Sequence, residues 1–262
     1  MALEPSTIAQ LAEHLEDAEL GAYEVTMITA DYPDMDWDDA YAIQDEIRRR
    51  KQARGTRITG LKAGLTSFAK MKQMGVESPV FGFVADYMGQ PDGGEITTSD
   101  LIHPKVEAEI CLVTKADLAG PGCTVAAVVA ATDFVLPGVE IIDSRYKDFR
   151  FDLKSVIADN TSASRFVAGG RARPVADLDL RTLGVVLEKN GEIAATATAA
   201  AVLGNPLVAV AMLANHLSAR GQNIPAGTFI MTGGVTEAIL VQAGDHIAVQ
   251  FHDLGTVSMR FT

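Results

Sequence analysis

Two glutamates, Glu107 and Glu109, have the type and the spacing that could build a metal site. They lie in the segment KVEAEICLV, which predicts a β-strand, and a strand places alternate side chains on the same face. Two carboxylates side by side repel each other, unless one takes up a proton or a cation lies between them. The spacing therefore indicates either a divalent-metal site or a solvated strand face, and both interpretations stay open.

A third glutamate, Glu140, lies inside the apolar run FVLPGVEII, so we expect it to be buried. A buried acid needs a partner, which is either a cation shared with the other two glutamates or an arginine. Carboxylate oxygens suit a hard cation, Mg²⁺ or Mn²⁺, better than they suit zinc. The following histidines show no paired ligand spacing and are interpreted as structural or exposed: His103, His216, His246 and His252.

Lys62 is the candidate for a catalytic cation. It lies in GLKAGL between Gly60 and Gly64, where the absence of side chains lets a backbone or a ligand approach closely. Its ammonium could stabilise an enolate oxygen, or move a proton if burial lowers its pKa. The alternative is an exposed lysine on an edge strand.

Two polar segments give weaker signals of a functional role. The segment IADNTSASRF contains Asp159, Asn160, Ser162 and Arg165. A polar loop of this kind could supply hydrogen bonds to a carboxylate, but it is equally typical of a turn or a helix cap. Asp86 in FVADYM follows an apolar run, and an aspartate in that place more often ends a strand than takes part in catalysis.

The composition excludes several classes of partner. The chain has 262 residues and a formal net charge of -12 at pH 7, which disfavours nucleic acids and anionic membranes. Any anionic substrate must therefore meet a local cation. We expect no secretory signal and no membrane span, so the cytoplasm is the expected location.

Cys111 and Cys123 lack CxxC spacing and are expected to be ordinary thiols, one of them buried in a strand.

A helical region is predicted over residues 1–56. Apolar residues at helical spacing from Ile8 predict a first helix, with Thr7 and Gln10 as its capping box. A second helix is predicted after Asp36, ending near Gly55.

A β-rich region is predicted over residues 57–262, integrated with the helical region in one domain. Asn190 and Gly191 predict a hairpin turn because both tolerate positive φ. One late helix, PLVAVAMLANHLSARG, is capped by Asn205 and ended by Gly221. The predicted strands are RITGLKAGL, KVEAEICLVTK, FVLPGVEIID, GVVLEKNGEIAATA, GTFIMTGG, HIAVQF and TVSMRF.

A series of motifs, in order along almost the whole chain, resembles the hydratase/decarboxylase branch of the fumarylacetoacetate hydrolase-like superfamily. The shared motifs are GLKAGLTS, FVADYM, HPKVEAEI, VLPGVEIIDSRY, FDLKSVIADNTSASRF, LGNPL and PAGTFIMTGG. The chain resembles the decarboxylases more than the hydratases in IRRRKQARG, MKQMGVESP, DSRYKDFRFDL and FIMTGG.

The resemblance implies an α+β fold, with a mixed β-sheet core rolled into a barrel-like shape behind a leading helical region. It also implies Mg²⁺ or Mn²⁺ held by Glu107, Glu109 and Glu140. Lys62 and Asp86 match the family's catalytic lysine and aspartate. The expected substrate-binding residues are Asp159, Ser162 and Thr232.

The implied activity is metal-dependent loss of CO₂ from a 2-oxo dicarboxylate, 2-oxohex-3-enedioate, in meta-cleavage catabolism of aromatic compounds. The ion would draw electrons onto the 2-oxo oxygen. The first alternative is hydration of 2-oxopent-4-enoate on the same fold; less favoured are acylpyruvate hydrolysis and a non-catalytic partner subunit. The resemblance also implies an oligomer and a complex with a hydratase.

Overall fold

The protein is represented by a computed structural model, which describes residues 2–68, 71–72 and 75–262. In the motif MKQMGVESP, Gln73 and Met74 lie outside the described residues. The described chain combines helices with a curled mixed β-sheet and a second, smaller sheet, which confirms the predicted α+β class.

The first helix, α1 (Pro5–Gly21), begins before the predicted position. Glu4 is its N-cap residue and proline occupies its first turn, where the fixed φ of proline favours a helical start. The prediction that Thr7 and Gln10 form a capping box is therefore wrong, because Thr7 already lies inside the first turn.

The second helix, α2 (Trp37–Ala53), confirms the prediction at both ends. The Asp36 carboxylate accepts the backbone N–H of Asp39, and the Asp39 carboxylate accepts the N–H of Asp36 in return. This reciprocal capping satisfies two of the free donors of the first turn. Gly55, with φ 90°, follows the helix end.

Charged groups join α1 to α2. Glu16 on α1 is fully buried and pairs with Arg50 at 2.8 Å and with Arg54. The ammonium of Lys51, also buried, lies 2.8 Å from Glu19 and 3.4 Å from Glu16. Burial raises the pKa of Glu16, but the two arginines and Lys51 outweigh it, so the pKa lies below its ordinary value.

The larger sheet contains eight strands. They are β1 (Ile58–Gly64), β2 (Val80–Ala85), β3 (Gly89–Gln90), β5 (Lys105–Thr114), β6 (Thr132–Ile142), β7 (Ala163–Ala168), β10 (Phe229–Gly234) and β11 (Ile239–Leu240). Their order is β2-β1-β10-β5-β6-β7-β3, with β11 paired to β5. β1 therefore lies between two strands and is not an edge.

The smaller sheet contains five strands. They are β4 (Glu95–Ile96), β8 (Gly184–Lys189), β9 (Glu192–Thr198), β12 (His246–Phe251) and β13 (Gly255–Phe261), in the order β4-β13-β12-β8-β9. Asn190 and Gly191, with φ 58° and 81°, form the predicted turn between β8 and β9. All seven segments predicted as strands contain strands.

Two short helices that lie wholly within the described residues were not predicted: α3 (Val125–Ala131) and α4 (Leu153–Ala158). Each is too short to display a full apolar stripe at helical spacing. The side chains of Thr124 and Asp152 accept backbone N–H groups at their N-termini. α4 leads directly into a helical turn at residues 160–162, which agrees with the interpretation of IADNTSASRF as a turn.

The late helix, α5 (Pro206–Ala219), starts at the Asn205 cap and is followed by Gly221 with φ 71°, as predicted. Together with the preceding turn, Ala199–Ala219 is long and apolar enough to cross a membrane by length and composition alone. Of its most apolar 18-residue stretch, 56% is nevertheless buried inside the fold, which is typical of a core helix.

The helical region shares a hydrophobic core with later elements. Leu15 of α1 and Ile43 of α2 belong to one buried cluster with Phe83 of β2 and Ile157 of α4. The division of one integrated domain into residues 1–56 and 57–262 stays a prediction.

We expect Glu16→Gln to lower the free energy of unfolding by about 1–3 kcal/mol, because three cations lose their shared charge. Glu13→Gln on the same helix is the matched control, since Glu13 is exposed and lies 3.4 Å from Arg50; it should cost less than about 0.5 kcal/mol.

The folded-state pKa of Glu16 is lowered from 4.5, so its stabilisation is complete above that value and is lost as the pH falls through the lower folded-state pKa. Urea unfolding at several pH values measures both effects. A gap between wild type and Glu16→Gln that does not shrink in acid would contradict this assignment.

Candidate active site

Strands β5 and β6 bring the three glutamates together. The antiparallel register places Glu107 directly opposite Glu140, and Glu109 lies two residues further along the same face of β5. One carboxylate oxygen from each lies within 4.8 Å of the others. Glu109 and Glu140 are buried and Glu107 is partly exposed. The structure thus selects the buried cluster over the solvated strand face.

The cluster has unbalanced negative charge. Burial raises the pKa of Glu109 well above its ordinary value, and the charge of Glu140 raises it further. Burial also raises the pKa of Glu140, although the neighbouring ammonium of Lys62 opposes that rise. When all three carboxylates are ionised, the one ammonium leaves two negative charges, which a divalent cation would neutralise.

Glu109 offers a free ligand atom. Its Oε2 accepts the backbone N–H of Gly233 at 2.8 Å, whereas its buried Oε1 has no hydrogen-bond partner among the described residues. A buried oxygen without a partner is costly unless something binds it. The oxygen-only donor set and this free atom fit a hard divalent cation.

Lys62 is buried on β1, where only 1% of its side chain is exposed. Its Nζ lies 2.5 Å from Glu140 Oε1 and donates a hydrogen bond to the Thr161 carbonyl at 2.9 Å. The alternative of an exposed lysine on an edge strand is therefore wrong.

A cavity of about 300 Å³ opens beside the cluster. Lys62, Glu107 and Glu140 lie on its wall with Thr161 and Ser162. Its apolar wall is formed by Ala63, Leu65, Val80, Ile142, Phe151, Val156 and Ala238. Among the described residues that line it, Lys62 is the only cation, so an anionic ligand would meet its positive charge here.

Ser162 reaches the cavity as predicted, on the turn at residues 160–162. The buried hydroxyls of Thr161 and Ser162 have no hydrogen-bond partner among the described residues. Both residues have positive φ, 52° and 58°. The Thr161 hydroxyl lies toward Gly82 of β2, which is not among the described cavity residues, so Ser162 is the better placed of the two to donate to a bound carboxylate.

The structure does not bring Asp159 to the cavity. Its carboxylate is fully buried in an ion pair with Arg145, whose guanidinium also donates to the carbonyls of Asp143 and Ala163. Burial opposes the charge of Arg145, but the nearby carboxylates outweigh it and raise its pKa. Asp159 therefore holds the backbone before the turn, and the substrate-binding role predicted for it is not supported.

Asp86 and Thr232 also lie outside the cavity wall. Asp86 follows the end of β2 and pairs with exposed Arg57 at 3.2 Å, which matches the interpretation of a strand end rather than a catalytic group. Thr232 is buried in β10, where its hydroxyl donates to the carbonyl of Ile110 at 2.8 Å.

Three contributions were missed in the sequence: the backbones of Gly233 and Gly234, and the Thr161 carbonyl. A Cβ on Gly234 would lie 2.6 Å from the Glu107 carboxylate, so a side chain at this position would displace that carboxylate. The glycine pair in FIMTGG was the available signal. The role of the Thr161 carbonyl had no sequence signal, since it depends on backbone direction.

Known proteins match this chain over almost its whole length. A 4-oxalocrotonate decarboxylase of Pseudomonas putida is 60% identical over 254 residues, which cover 97% of this chain and 96% of the relative. A 2-keto-4-pentenoate hydratase of Burkholderia vietnamiensis (strain G4) is 35% identical, covering 98% of both chains. No protein-family model matches the chain.

The chain belongs to the hydratase/decarboxylase family of the fumarylacetoacetate hydrolase-like superfamily, which confirms the resemblance found in its motifs. Within that family it is similar in structure to the 4-oxalocrotonate decarboxylase of Pseudomonas putida G7, solved in complex with magnesium and adipate. The two share a TM-score of 0.98 and 58% identity, and the match covers 100% of this chain and 99% of that one.

We expect Asp159→Ala to lower the free energy of unfolding by about 3–5 kcal/mol, because it leaves the buried Arg145 charge unpaired. The double variant Arg145→Met, Asp159→Ala should lose less than the two single variants together. Denaturant unfolding measures these losses. A stable Asp159→Ala protein with a raised KM would instead restore the substrate-binding role.

Proposed function

We propose that the protein is a carboxy-lyase that converts 2-oxohex-3-enedioate (4-oxalocrotonate) to CO₂ and 2-hydroxypenta-2,4-dienoate, the enol of 2-oxopent-4-enoate. The observation that carries this proposal is Lys62, the cavity's cation, held 2.5 Å from Glu140 in a three-glutamate cluster. The identity of 60% to a decarboxylase, against 35% to a hydratase, supports this choice of reaction.

Glu107, Glu109 and Glu140 would hold Mg²⁺, with Mn²⁺ as the alternative ion. Their oxygen-only donor set and the free Oε1 of Glu109 support this assignment. When bound, the ion would supply a Lewis acid for a 2-oxo acid.

Lys62 would stabilise the negative charge that develops on the 2-oxo oxygen as CO₂ leaves. Such charge stabilisation is strongest when the donor is already oriented and water is excluded. Both conditions apply here, because the Thr161 carbonyl and Glu140 fix the ammonium in a buried place. The proton that completes the enol product can come from this ammonium or from water.

The polar and apolar walls of the cavity would contact different parts of the substrate. The Ser162 hydroxyl, which has no described protein partner, would donate to a substrate carboxylate. The apolar wall, which includes Leu65, Val80 and Phe151, would favour loss of the charged group as neutral CO₂. It would also keep water from the dienol before release.

Hydration of 2-oxopent-4-enoate is the second candidate function, and the 35% identity to a hydratase is the observation that favours it. Acylpyruvate hydrolysis has less support, because no histidine lies among the described cavity residues to activate water. A non-catalytic subunit would not need Lys62 beside an intact glutamate cluster.

We also propose that the protein forms an oligomer and a complex with a hydratase in the cytoplasm. The dienol product is labile, so a complex with a hydratase that consumes it would limit its loss. An oligomer is supported by β9, which lies at a sheet edge with Ile193 67% exposed, because such edges readily pair with another chain. The cytoplasm remains the proposed location.

The direct test is to incubate the purified protein with 2-oxohex-3-enedioate and Mg²⁺ and to follow CO₂. We expect release that stops on chelation of the metal and returns on its addition. Hydration of 2-hydroxypenta-2,4-dienoate without metal-dependent CO₂ release would replace the decarboxylase proposal with the hydratase.

We expect Gly234→Ala to weaken Mg²⁺ binding by about 10–100-fold, because the new Cβ displaces the Glu107 carboxylate. Gly184→Ala is the matched control, since nothing lies within 4 Å of a Cβ there. Glu109→Gln should abolish binding and activity. Titration calorimetry with Mg²⁺ gives the affinities; wild-type affinity in both Gly234→Ala and Glu109→Gln would remove the metal assignment.

A further inference from the structure

The turn at residues 160–162 has an unusual backbone. Asn160, Thr161 and Ser162 have φ of 45°, 52° and 58°, and none of them is glycine. Positive φ is unfavourable for residues with a side chain, and most of all for a β-branched residue such as Thr161. Three such residues in a row persist only when the surrounding structure holds them.

The Asn160 side chain provides much of that hold. Its Oδ1 accepts the backbone N–H of Phe83 at 2.9 Å, and its Nδ2 donates to the Phe83 carbonyl at 2.9 Å. Phe83 lies in β2, the edge strand of the larger sheet, so the amide occupies the place of a neighbouring strand. The adjacent Gly82 leaves room, because a Cβ there would lie 2.7 Å from Asn160 Oδ1 and 2.6 Å from Thr161 Oγ1.

The turn connects this clamp to Lys62. Thr161 follows Asn160 directly, and its carbonyl accepts the hydrogen bond from Lys62 Nζ at 2.9 Å. On the other side, the Ser162 carbonyl accepts the N–H of Asp143, just after β6. A normal right-handed turn at residue 160 would redirect the next carbonyl, and the ammonium would lose its second acceptor beside Glu140.

We propose that Asn160 is a positioning residue, whose amide holds the left-handed turn so that the Thr161 carbonyl fixes the Lys62 ammonium beside Glu140. This inference rests on the proposed function, in which Lys62 stabilises the charge formed during CO₂ loss. Asn160 itself does not touch the reacting atoms; it acts through Thr161.

The test is Asn160→Ala, assayed with saturating Mg²⁺ well below its unfolding temperature. We expect kcat for CO₂ release to fall about tenfold or more, because a small displacement of a catalytic group is costly. KM and the Mg²⁺ dissociation constant should both stay within about threefold, since the glutamates are untouched.

Asn190→Ala is the matched control. Asn190 also has positive φ, 58°, and its amide also makes two hydrogen bonds, both 2.8 Å long, to Asp245 and His246. Because Asn190 is exposed and Asn160 is buried, Asn190→Ala should lose less thermal stability than Asn160→Ala, and it should keep its kcat. An equal fall of kcat in both variants, or an unchanged kcat in Asn160→Ala, would overturn the inference.

A second variant and a second readout cover other outcomes. If Asn160→Ala does not fold, Gly82→Ala, whose new Cβ would press on the Asn160 and Thr161 side chains from β2, should give the same fall in kcat. A normal kcat would refute the proposal. A crystal structure of either variant should show the Thr161 carbonyl out of hydrogen-bond range of Lys62. An unchanged turn in the variant would refute the inference, whether or not the wild-type protein releases CO₂. Absence of CO₂ release by the wild type would by itself refute only the proposed function.

Discussion

The mutual repulsion of Glu107, Glu109 and Glu140 is the interaction that the surrounding structure has to balance. Their carboxylates come within 4.8 Å of one another in a place where water screens charge poorly. Lys62 balances part of that charge, and the free oxygen of Glu109 indicates where a cation would balance the rest. The same imbalance that makes the site unfavourable without a cation makes it suitable for binding one.

Backbone groups fix the positions of the charged side chains in the site. Gly233 donates its N–H to Glu109, and Gly234 leaves space for the Glu107 carboxylate. The Thr161 carbonyl orients Lys62 from a left-handed turn. Because these groups belong to strands and a clamped turn, they hold charged side chains more rigidly than flexible side-chain partners could.

Two further buried carboxylates keep the frame around the site in place. Asp159 pairs with Arg145 and secures the segment before the turn. Glu16 pairs with Arg50, Lys51 and Arg54 and joins the leading helices to each other. Neither carboxylate lies on the described wall of the cavity. Acids and bases whose pKa is shifted in this protein therefore include structural ion pairs as well as site residues. Only their position in the fold separates the two kinds.

The sequence by itself indicated the three longer helices, seven strand-containing segments and three candidate glutamates, because each depends on local spacing: period two along a strand for Glu107 and Glu109, and an acid in an apolar run for Glu140. Only the tertiary structure decided that Glu140 lies opposite Glu107, because that pairing depends on the register of β5 and β6. It also separated Ser162, at the cavity, from Asp159, which is bound to Arg145 three residues earlier. Neighbouring polar residues in one segment have the same local sequence signal, whereas their roles depend on which way a turn directs them.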